Sequence, residues 1–240
     1  MDVSGTVSAT RNIVADEGVG RLMQLSIEKV LWELLGLPDR TIVVQNAVAV
    51  RAGRLFDRQD VFPDTEAHLI GHVREFVEYG DDVVVVGGGS GVSTVWEARR
   101  VGDAGTVTVF EGGEDTADHC RETAGLNGVD HLVDVRHAVV GPAVEVRDIV
   151  GDADHVPPDE LPTCDVLEMD CDGAEMDILE NMIIRPERVI VETHGLLGTP
   201  PADVRSTLRD LRYEVVREDI HNEGKGINIV TAVRVEADGE

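Results

Sequence analysis

The chain has 240 residues, 47 of them acidic and 21 basic, which gives a formal net charge of −26 at pH 7. This length fits one α/β domain, or one such domain with a small appendage, and argues against two independent enzymatic domains. The 42% hydrophobic content excludes an intrinsically disordered acidic chain. Because phosphate contacts require clustered Lys and Arg, we expect no nucleic-acid partner.

The excess of acidic side chains predicts a halophilic protein. Only two of the basic residues, Lys29 and Lys225, are lysines. Repulsion between like charges opposes compaction in dilute buffer, and concentrated salt screens it. We therefore predict that the free energy of unfolding rises with KCl concentration, which denaturant titrations at several KCl concentrations would measure. A flat response would favour the alternative, an acidic catalytic domain with no adaptation to salt.

The three cysteines, Cys120, Cys164 and Cys171, are odd in number and lack the spacing of a zinc site. Neither a disulfide framework nor a structural metal is therefore expected. The sequence has no signal-peptide pattern and no run of about 18 apolar residues that could span a bilayer. We expect a cytoplasmic protein without membrane association, and the sequence leaves open whether it forms a homo-oligomer.

Residues 1–75 are predicted to form an N-terminal α/β extension that precedes the main domain at 76–240. Apolar spacing, together with the Gly and Pro residues that interrupt it, defines the elements of this extension. They are a helix at 17–35, a strand at 41–50, a short strand at 55–56 and a helix at 65–79 that leads into the main domain. The extension carries no motif with recognisable chemistry.

From Asp82 onward strands and helices alternate, which predicts βαβ units and a parallel sheet buried on both faces. The predicted strands are 83–86, 106–111, 132–137, 165–170 and 188–192, and the helices are 92–101, 114–126, 174–181 and 202–211. A Pro-rich segment with one short strand at 144–149 interrupts the pattern. The last two strands, 213–217 and 227–233, are joined by a loop too short for a crossover helix, so they should be antiparallel neighbours. The sequence therefore predicts a mostly parallel, seven-stranded sheet that ends in a C-terminal antiparallel hairpin.

A glycine-rich turn follows the first strand of this pattern. It consists of Gly87, Gly88, Gly89, Ser90 and Gly91 and opens a helix. Glycines let a backbone approach a ligand closely, and the free amides at a helix N-terminus can face a polar or anionic group. An ordinary tight turn between strand and helix is the alternative, but four glycines in five positions exceed what turning requires.

Glycine spacing discriminates between the nucleotides that such a turn could bind. The pattern G-x-G-x-G is typical of methyltransferases, whereas dinucleotide binders use G-x-G-x-x-G, which would require glycine at Val92 or Thr94. Glu111 ends the next strand, where a carboxylate can accept both ribose hydroxyls in either class of enzyme. The sequence favours S-adenosylmethionine over NAD.

The segment at the fourth strand carries a second cluster of acids. It reads Asp165-Val166-Leu167-Glu168-Met169-Asp170-Cys171-Asp172-Gly173-Ala174-Glu175. Asp170 ends the strand at the edge where ligands of open α/β sheets bind, so it should face the methyl donor or acceptor. Asp172 and Glu175 are candidates for the same site or for capping the following helix.

This segment resembles the FkbM methyltransferase family, whose corresponding signature is roughly D-x-L-K-I-D-V-E-G-A-E. Phe110-Glu111, Leu126-Asn127 and Val191-Glu192-Thr193-His194 support the resemblance, which spans about residues 80–234. It implies a Rossmann-like class I methyltransferase fold and methyl transfer from S-adenosylmethionine, commonly to oxygen. The chain departs from the pattern at Glu168, at Asp172, and at Val85, where many class I enzymes have an acid. Asp170 or Asp172 is then the candidate for holding the methionine ammonium of the donor.

The fifth strand ends at the same edge with Glu192 and His194. Methyl transfer to a hydroxyl requires alignment of the acceptor and removal of its proton. We predict His194 as the base, with Glu192 orienting it or contacting the acceptor and Asp170 nearby. A merely polar surface histidine is the alternative. These three residues could also hold a divalent cation, but their spacing is not a metal motif and no metal is predicted.

The sequence as a whole predicts an S-adenosylmethionine-dependent methyltransferase that methylates a small-molecule or glycan hydroxyl. A non-catalytic scaffold that kept the fold and lost the donor is one alternative, for which the missing acid at Val85 is the main support. An NAD-dependent oxidoreductase is the other, and it is disfavoured by glycine spacing and by the terminal strand pair.

Overall fold

A computed structural model describes residues 41–52, 60–141 and 152–235. The chain divides into two compact units, residues 1–43 with 51–60 and residues 44–50 with 61–240. The helix predicted at 17–35 and the strands predicted at 55–56 and 144–149 lie outside the described residues. The division between an extension at 1–75 and a domain at 76–240 stays a prediction.

The strand predicted at 41–50 is wrong, because this segment forms two strands. They are β1 (Thr41–Gln45) and β2 (Val48–Ala52). Asn46 and Ala47 between them have positive φ angles of 43° and 61°, as the type I′ turn of a two-residue hairpin requires. Such turns usually carry glycine, so the alanine conceals the turn in the sequence. A short third strand, β3 (Val61–Phe62), pairs parallel with β1.

The other elements, apart from β7, lie close to their predicted positions. In chain order they are α1 (Ala67–Phe76), β4 (Asp82–Val86), α2 (Val92–Val101), β5 (Thr106–Glu111), α3 (Glu114–Leu126), β6 (Val133–Val140), β7 (Asp154–Val156), β8 (Val166–Met169), α4 (Glu175–Asn181), β9 (Arg188–Glu192), α5 (Pro201–Asp210), β10 (Tyr213–Asn222) and β11 (Ile227–Arg234). None of the helices in these segments is long and apolar enough to cross a membrane.

The main sheet confirms the predicted arrangement. Its strand order is β10-β11-β9-β8-β4-β5-β6-β7, with β4 to β9 parallel and β11 antiparallel to both of its neighbours. The seven predicted strands are all present. The eighth, β7, was not predicted, because Asp154-His155-Val156 has neither the length nor the apolar pattern of a typical strand.

The valine run of β4 explains how the sheet is covered on both faces. Alternate side chains of a strand point to opposite faces. Val84 and Val86 belong to a buried cluster with Ile178 of α4 and Leu208 of α5. Val83 and Val85 therefore face the other layer, where α1 contacts α2 and α2 contacts α3.

The strand order reverses at β4, because β5 lies on one side of it and β8 on the other. The helix that follows β4 and the helix that follows β8 therefore lie on opposite faces of the sheet. This reversal opens a crevice at the carboxyl ends of the two strands, where ligands of open α/β folds bind. The glycine-rich turn and Asp170 both follow these strand ends.

Candidate active site

A cavity of about 320 Å³ occupies this crevice. Six of the eight residues predicted to bind the cofactor line it: Gly87, Gly89, Ser90, Glu111, Asp170 and Asp172. The other two, Gly88 and Gly91, lie against protein instead, where an added Cβ would meet Val109 and Cys120. The volume is at the lower end of the range for ligand pockets.

Two glycines of the turn have distinct physical roles. A Cβ on Gly87 would lie 1.9 Å from the carbonyl oxygen of Asp170, so only glycine lets the turn pass the end of β8. Gly89 has a φ of +50° and no heavy atom within 4 Å of an added Cβ. Gly87 is therefore required for the close packing of the turn against the end of β8. Gly89 leaves its backbone accessible beside the cavity.

The carboxylate of Glu111 is fixed by backbone amides at the cavity wall. Its Oε2 accepts a hydrogen bond from the amide of Gly89 and its Oε1 one from the amide of Gly113, both at 2.9 Å. A carboxylate has about four acceptor sites, so two such bonds leave capacity for hydroxyl groups. The side chain is thus held in one orientation at the cavity wall, and its ribose role stays a prediction.

The turn after β8 is held by Glu175, whose side chain is fully buried. Its carboxylate accepts hydrogen bonds from the amides of Cys171 at 3.2 Å and Gly173 at 2.9 Å. This stabilises a turn in which Asp172 adopts a positive φ of 52°. Glu175 thus fixes the backbone from which Asp170 and Asp172 reach the cavity.

His194 lies in the centre of these acids and is 5% exposed. Its Nδ1 is 2.7 Å from Oε1 of Glu175, and its Nε2 is 3.5 Å and 3.4 Å from carboxylate oxygens of Asp170 and Asp172. Burial lowers the pKa of His194, but the hydrogen bond and charge of Glu175 and the charges of the two aspartates outweigh it and raise the pKa to about 9. His194 is therefore an imidazolium at neutral pH, and that form does not accept a proton.

Glu192 joins the same group of side chains. One ligand atom from each of Asp170, Glu192 and His194 lies within 4.8 Å of the other two. This set would admit a divalent cation only if the cation displaced the proton of His194, and acidic side chains commonly gather without an ion. The sequence-based prediction of no metal stays a prediction.

Val85 and Glu168, two of the positions at which the chain departs from the methyltransferase pattern, are neighbours in the sheet. They are register partners between β4 and β8. Glu168 is buried, points toward α2 and accepts a hydrogen bond from Ser93 Oγ at 3.2 Å. Glu97 of α2 is equally buried. Burial raises the pKa of Glu97 to about 7 and that of Glu168 well above its ordinary value. Because Glu168 faces away from the cavity lining, it does not replace the missing acid at Val85.

No protein-family model and no curated protein matches the chain. Several solved structures do. An S-adenosylmethionine-dependent methyltransferase from Aquifex aeolicus is 22% identical, covers 72% of this chain and 94% of its own, and has a TM-score of 0.46. The ribosomal protein L11 methylase from Lactobacillus delbrueckii subsp. bulgaricus is 13% identical, with coverages of 77% and 90% and a TM-score of 0.50. The aTrm5 protein in complex with tRNALeu is 12% identical, with coverages of 83% and 54% and a TM-score of 0.57.

The chain has the Rossmann-like class I methyltransferase fold. At these identities the likeness extends to the fold alone, and the FkbM subfamily is not confirmed. The neighbours include a tRNA complex and a ribosomal protein methylase, so the expectation of an acceptor that is not nucleic acid stays a prediction. The terminal antiparallel pair distinguishes this fold from the usual dinucleotide-binding dehydrogenase arrangement.

Two contacts of this region were not predicted from the sequence. Glu175 was left open between the site and a helix cap, and its contact with His194, which joins two segments that are distant in sequence, was not foreseen. His221 was not considered a site residue, yet its Nδ1 is 3.8 Å from Oε1 of Glu192. No local pattern signals that contact, because it depends on the register of β9, β11 and β10.

Proposed function

We propose that the protein is an S-adenosylmethionine-dependent methyltransferase whose donor binds in the cavity beside the Gly87–Gly91 turn. The observation that carries this proposal is the Glu111 carboxylate, which is held by the amides of Gly89 and Gly113 with acceptor capacity to spare. S-adenosylmethionine supplies an electrophilic methyl group on a sulfonium. The FkbM-type signature around Asp170 supports assignment to that subfamily and is part of the proposal.

The residues around the cavity fit the two ends of such a donor. Glu111 accepts the ribose hydroxyls, and the open backbone at Gly89 and Ser90 admits close approach. Asp170 and Asp172 line the cavity on the side of His194. Their negative charge favours the cationic methionine end of the donor, so they compensate for the valine at position 85.

The acceptor is proposed to be a small-molecule or glycan hydroxyl, as the FkbM resemblance implies. Glu192 and His194 lie at the end of β9, close to Asp170 in the cavity wall. His194 could act as the base only after losing its proton. A donor cation bound beside Asp170 and Asp172 favours this loss, because it offsets the carboxylate charges that raise the pKa of His194.

Glu111→Gln is expected to weaken binding of S-adenosylmethionine and of its demethylated product, S-adenosylhomocysteine, by about tenfold or more. The substitution removes the charge from the hydrogen bonds to ribose and leaves one acceptor oxygen instead of two. Isothermal titration calorimetry at high KCl measures the change. Glu114→Gln is the matched control, because Glu114 is exposed at the start of the next helix and lies outside the cavity lining. Equal affinities for the two variants would contradict the proposed ribose role.

A further inference from the structure

Three imidazoles and a carboxylate converge where α1 packs against β10. His68 and His72 lie one helical turn apart on α1, and Asp219 and His221 lie two residues apart on β10. An oxygen of Asp219 is 3.7 Å from Nδ1 of His68 and 3.3 Å from Nε2 of His72. The rings of His68 and His221 are 5.5 Å apart. None of the four side chains lines the donor cavity, and all four are of types that bind transition metals.

His72 is the most firmly held member of this group and has an unused ring nitrogen. Its side chain is fully buried, and its Nδ1 is 2.6 Å from Oγ1 of Thr231 on β11. Its Nε2 has no hydrogen-bond partner among the described residues, because the 3.3 Å contact with Asp219 lacks hydrogen-bond geometry. Donation of Nδ1–H to Thr231 leaves a lone pair on Nε2, as in metal-binding histidines whose other nitrogen is fixed by a second residue. A buried polar atom without a partner is costly, and a bound cation would satisfy it.

A proton does not fill this role at neutral pH. Burial and the charge of Arg217 lower the pKa of His72 to about 4, although the nearby Asp219 acts in the opposite direction. Burial and His68 also lower the pKa of His221. Both imidazoles are therefore neutral at neutral pH, which is the form that binds a metal.

The surrounding charges favour a divalent cation. Arg217 is the positive group at this position, and it is already paired with Asp219 and with Glu75, whose Oε2 is 2.8 Å from Nη1. Glu192 adds a third carboxylate, 3.8 Å from Nδ1 of His221. Three carboxylates against one guanidinium leave the region negative. Because a carboxylate has about four acceptor sites, Asp219 can bind a cation and keep its ion pair with Arg217.

We propose that Nδ1 of His68, Nε2 of His72 and a carboxylate oxygen of Asp219 bind Zn²⁺, with His221 or a water molecule as the fourth ligand. Imidazoles combined with one carboxylate suit Zn²⁺, whereas Mg²⁺ and Ca²⁺ prefer oxygen ligands alone. About half of the His68 side chain is exposed, so it can rotate toward a cation held by the other two. The metal would join α1 to β10 and stabilise their packing.

This site is independent of the proposed function and departs from the sequence-based expectation of no metal. That expectation was based on the cysteines and on the spacing of Asp170, Glu192 and His194. His68 and His72 have the i, i+4 spacing that brings two side chains together on one face of a helix. Asp219 joins them only through the packing of β10 against α1, which no local pattern indicates.

Calorimetric titration with Zn²⁺ tests the inference on the whole protein after dialysis against a chelator. We expect one Zn²⁺ per chain, with no competition from a hundredfold excess of Mg²⁺. His68→Asn and Asp219→Asn should each weaken Zn²⁺ binding at least about tenfold. His131→Asn is the matched control, because His131 is exposed and its Nε2 is 3.7 Å from Asp103, the same separation as between His68 and Asp219. Circular dichroism checks that the variants remain folded.

NMR of the imidazole nitrogens gives a second readout on the unmodified protein, which does not depend on the folding of a variant. Zn²⁺ should shift the Nδ1 resonance of His68 and the Nε2 resonance of His72 and leave those of His131 unchanged. The inference is wrong if the folded protein binds no Zn²⁺ or if His68→Asn and Asp219→Asn bind it as the control does. It is also wrong if Zn²⁺ shifts the resonances of His194 and not those of His68 and His72, because the cation then binds beside Asp170.

Discussion

Gly87→Ala is expected to destabilise the fold by more than about 4 kcal/mol, an unusually large effect for one methyl group. The added Cβ would lie 1.9 Å from the carbonyl oxygen of Asp170 and 2.6 Å from its carbonyl carbon, and both are backbone atoms that cannot rotate away. Gly87 also has a φ of +95° and donates its amide hydrogen bond to Phe110 at 2.9 Å. Relief of the clash would require separation of β4 from β8 at the cavity.

Gly89→Ala is the matched control for this substitution. Gly89 belongs to the same turn, but no heavy atom lies within 4 Å of an added Cβ and its φ is +50°. Only the left-handed backbone conformation disfavours alanine here, and it should lower the free energy of unfolding by about 1–2 kcal/mol. Denaturant unfolding of both variants at high KCl measures the difference. Similar losses of stability would show that the turn does not pass Asp170 as closely as described.

Glu97→Gln is expected to stabilise the protein at pH 8 and to leave its stability nearly unchanged at pH 5. Glu97 and Glu168 are both fully buried, and three of their four carboxyl oxygens have no hydrogen-bond partner. If both were ionised, the two carboxylates would repel each other with no solvent to screen the charges. At least one of the two therefore keeps its proton. Gln supplies amide hydrogens that can donate to Glu168 without carrying charge.

The sign of the pH dependence follows from the raised pKa of both groups. In the unfolded chain Glu97 titrates at 4.5, and in the folded protein at about 7. Its contribution to stability is fully present below pH 4.5 and is lost as the pH rises through about 7. The Glu168 contribution is likewise lost as the pH rises, because burial and the neighbouring Glu97 raise its pKa well above its ordinary value. For each proton that the folded protein retains and the unfolded chain has lost, the free energy of unfolding falls by about 1.4 kcal/mol per pH unit.

The measurement compares the free energy of unfolding from pH 5 to pH 8 at constant KCl. We expect Glu97→Gln to exceed the unmodified protein by on the order of 2 kcal/mol at pH 8. Glu180→Gln, which changes an exposed acid on α4, controls for the loss of one negative charge. The raised pKa of His194 affects all these proteins alike, so the difference between them isolates Glu97. A Glu97→Gln protein that is less stable at pH 8 would contradict the account of the buried pair.

The main domain could be predicted from sequence because β4 is a continuous Val run, the other parallel strands are rich in Val and Ile, and Gly102 marks the end of α2. These are local signals, and they located β4, α2, β5 and α3 closely. They also brought Gly87 and Asp170 to one edge, since the ends of parallel strands meet there. The Asn46–Ala47 turn was missed because alanine with a positive φ is an exception to the local rule.

The parts of the candidate site that could not be predicted depend on contacts between distant segments. Glu175 reaches His194 across two loops, and that contact decides the protonation of the histidine. His221 reaches Glu192 only because two antiparallel strands return along the sheet edge. Sequence identified Val85 and Glu168 as separate departures, whereas strand register makes them neighbours.

The central claim is that the cavity beside Gly87–Gly91 binds S-adenosylmethionine. Calorimetric titration of the whole protein at high KCl with S-adenosylmethionine, S-adenosylhomocysteine and NAD tests it most directly. We expect both adenosyl ligands to bind with one-to-one stoichiometry and NAD to give no saturable heat. Saturable binding of NAD would favour an oxidoreductase, and failure of both adenosyl ligands to bind a folded protein would contradict the account in favour of a scaffold that has lost its donor.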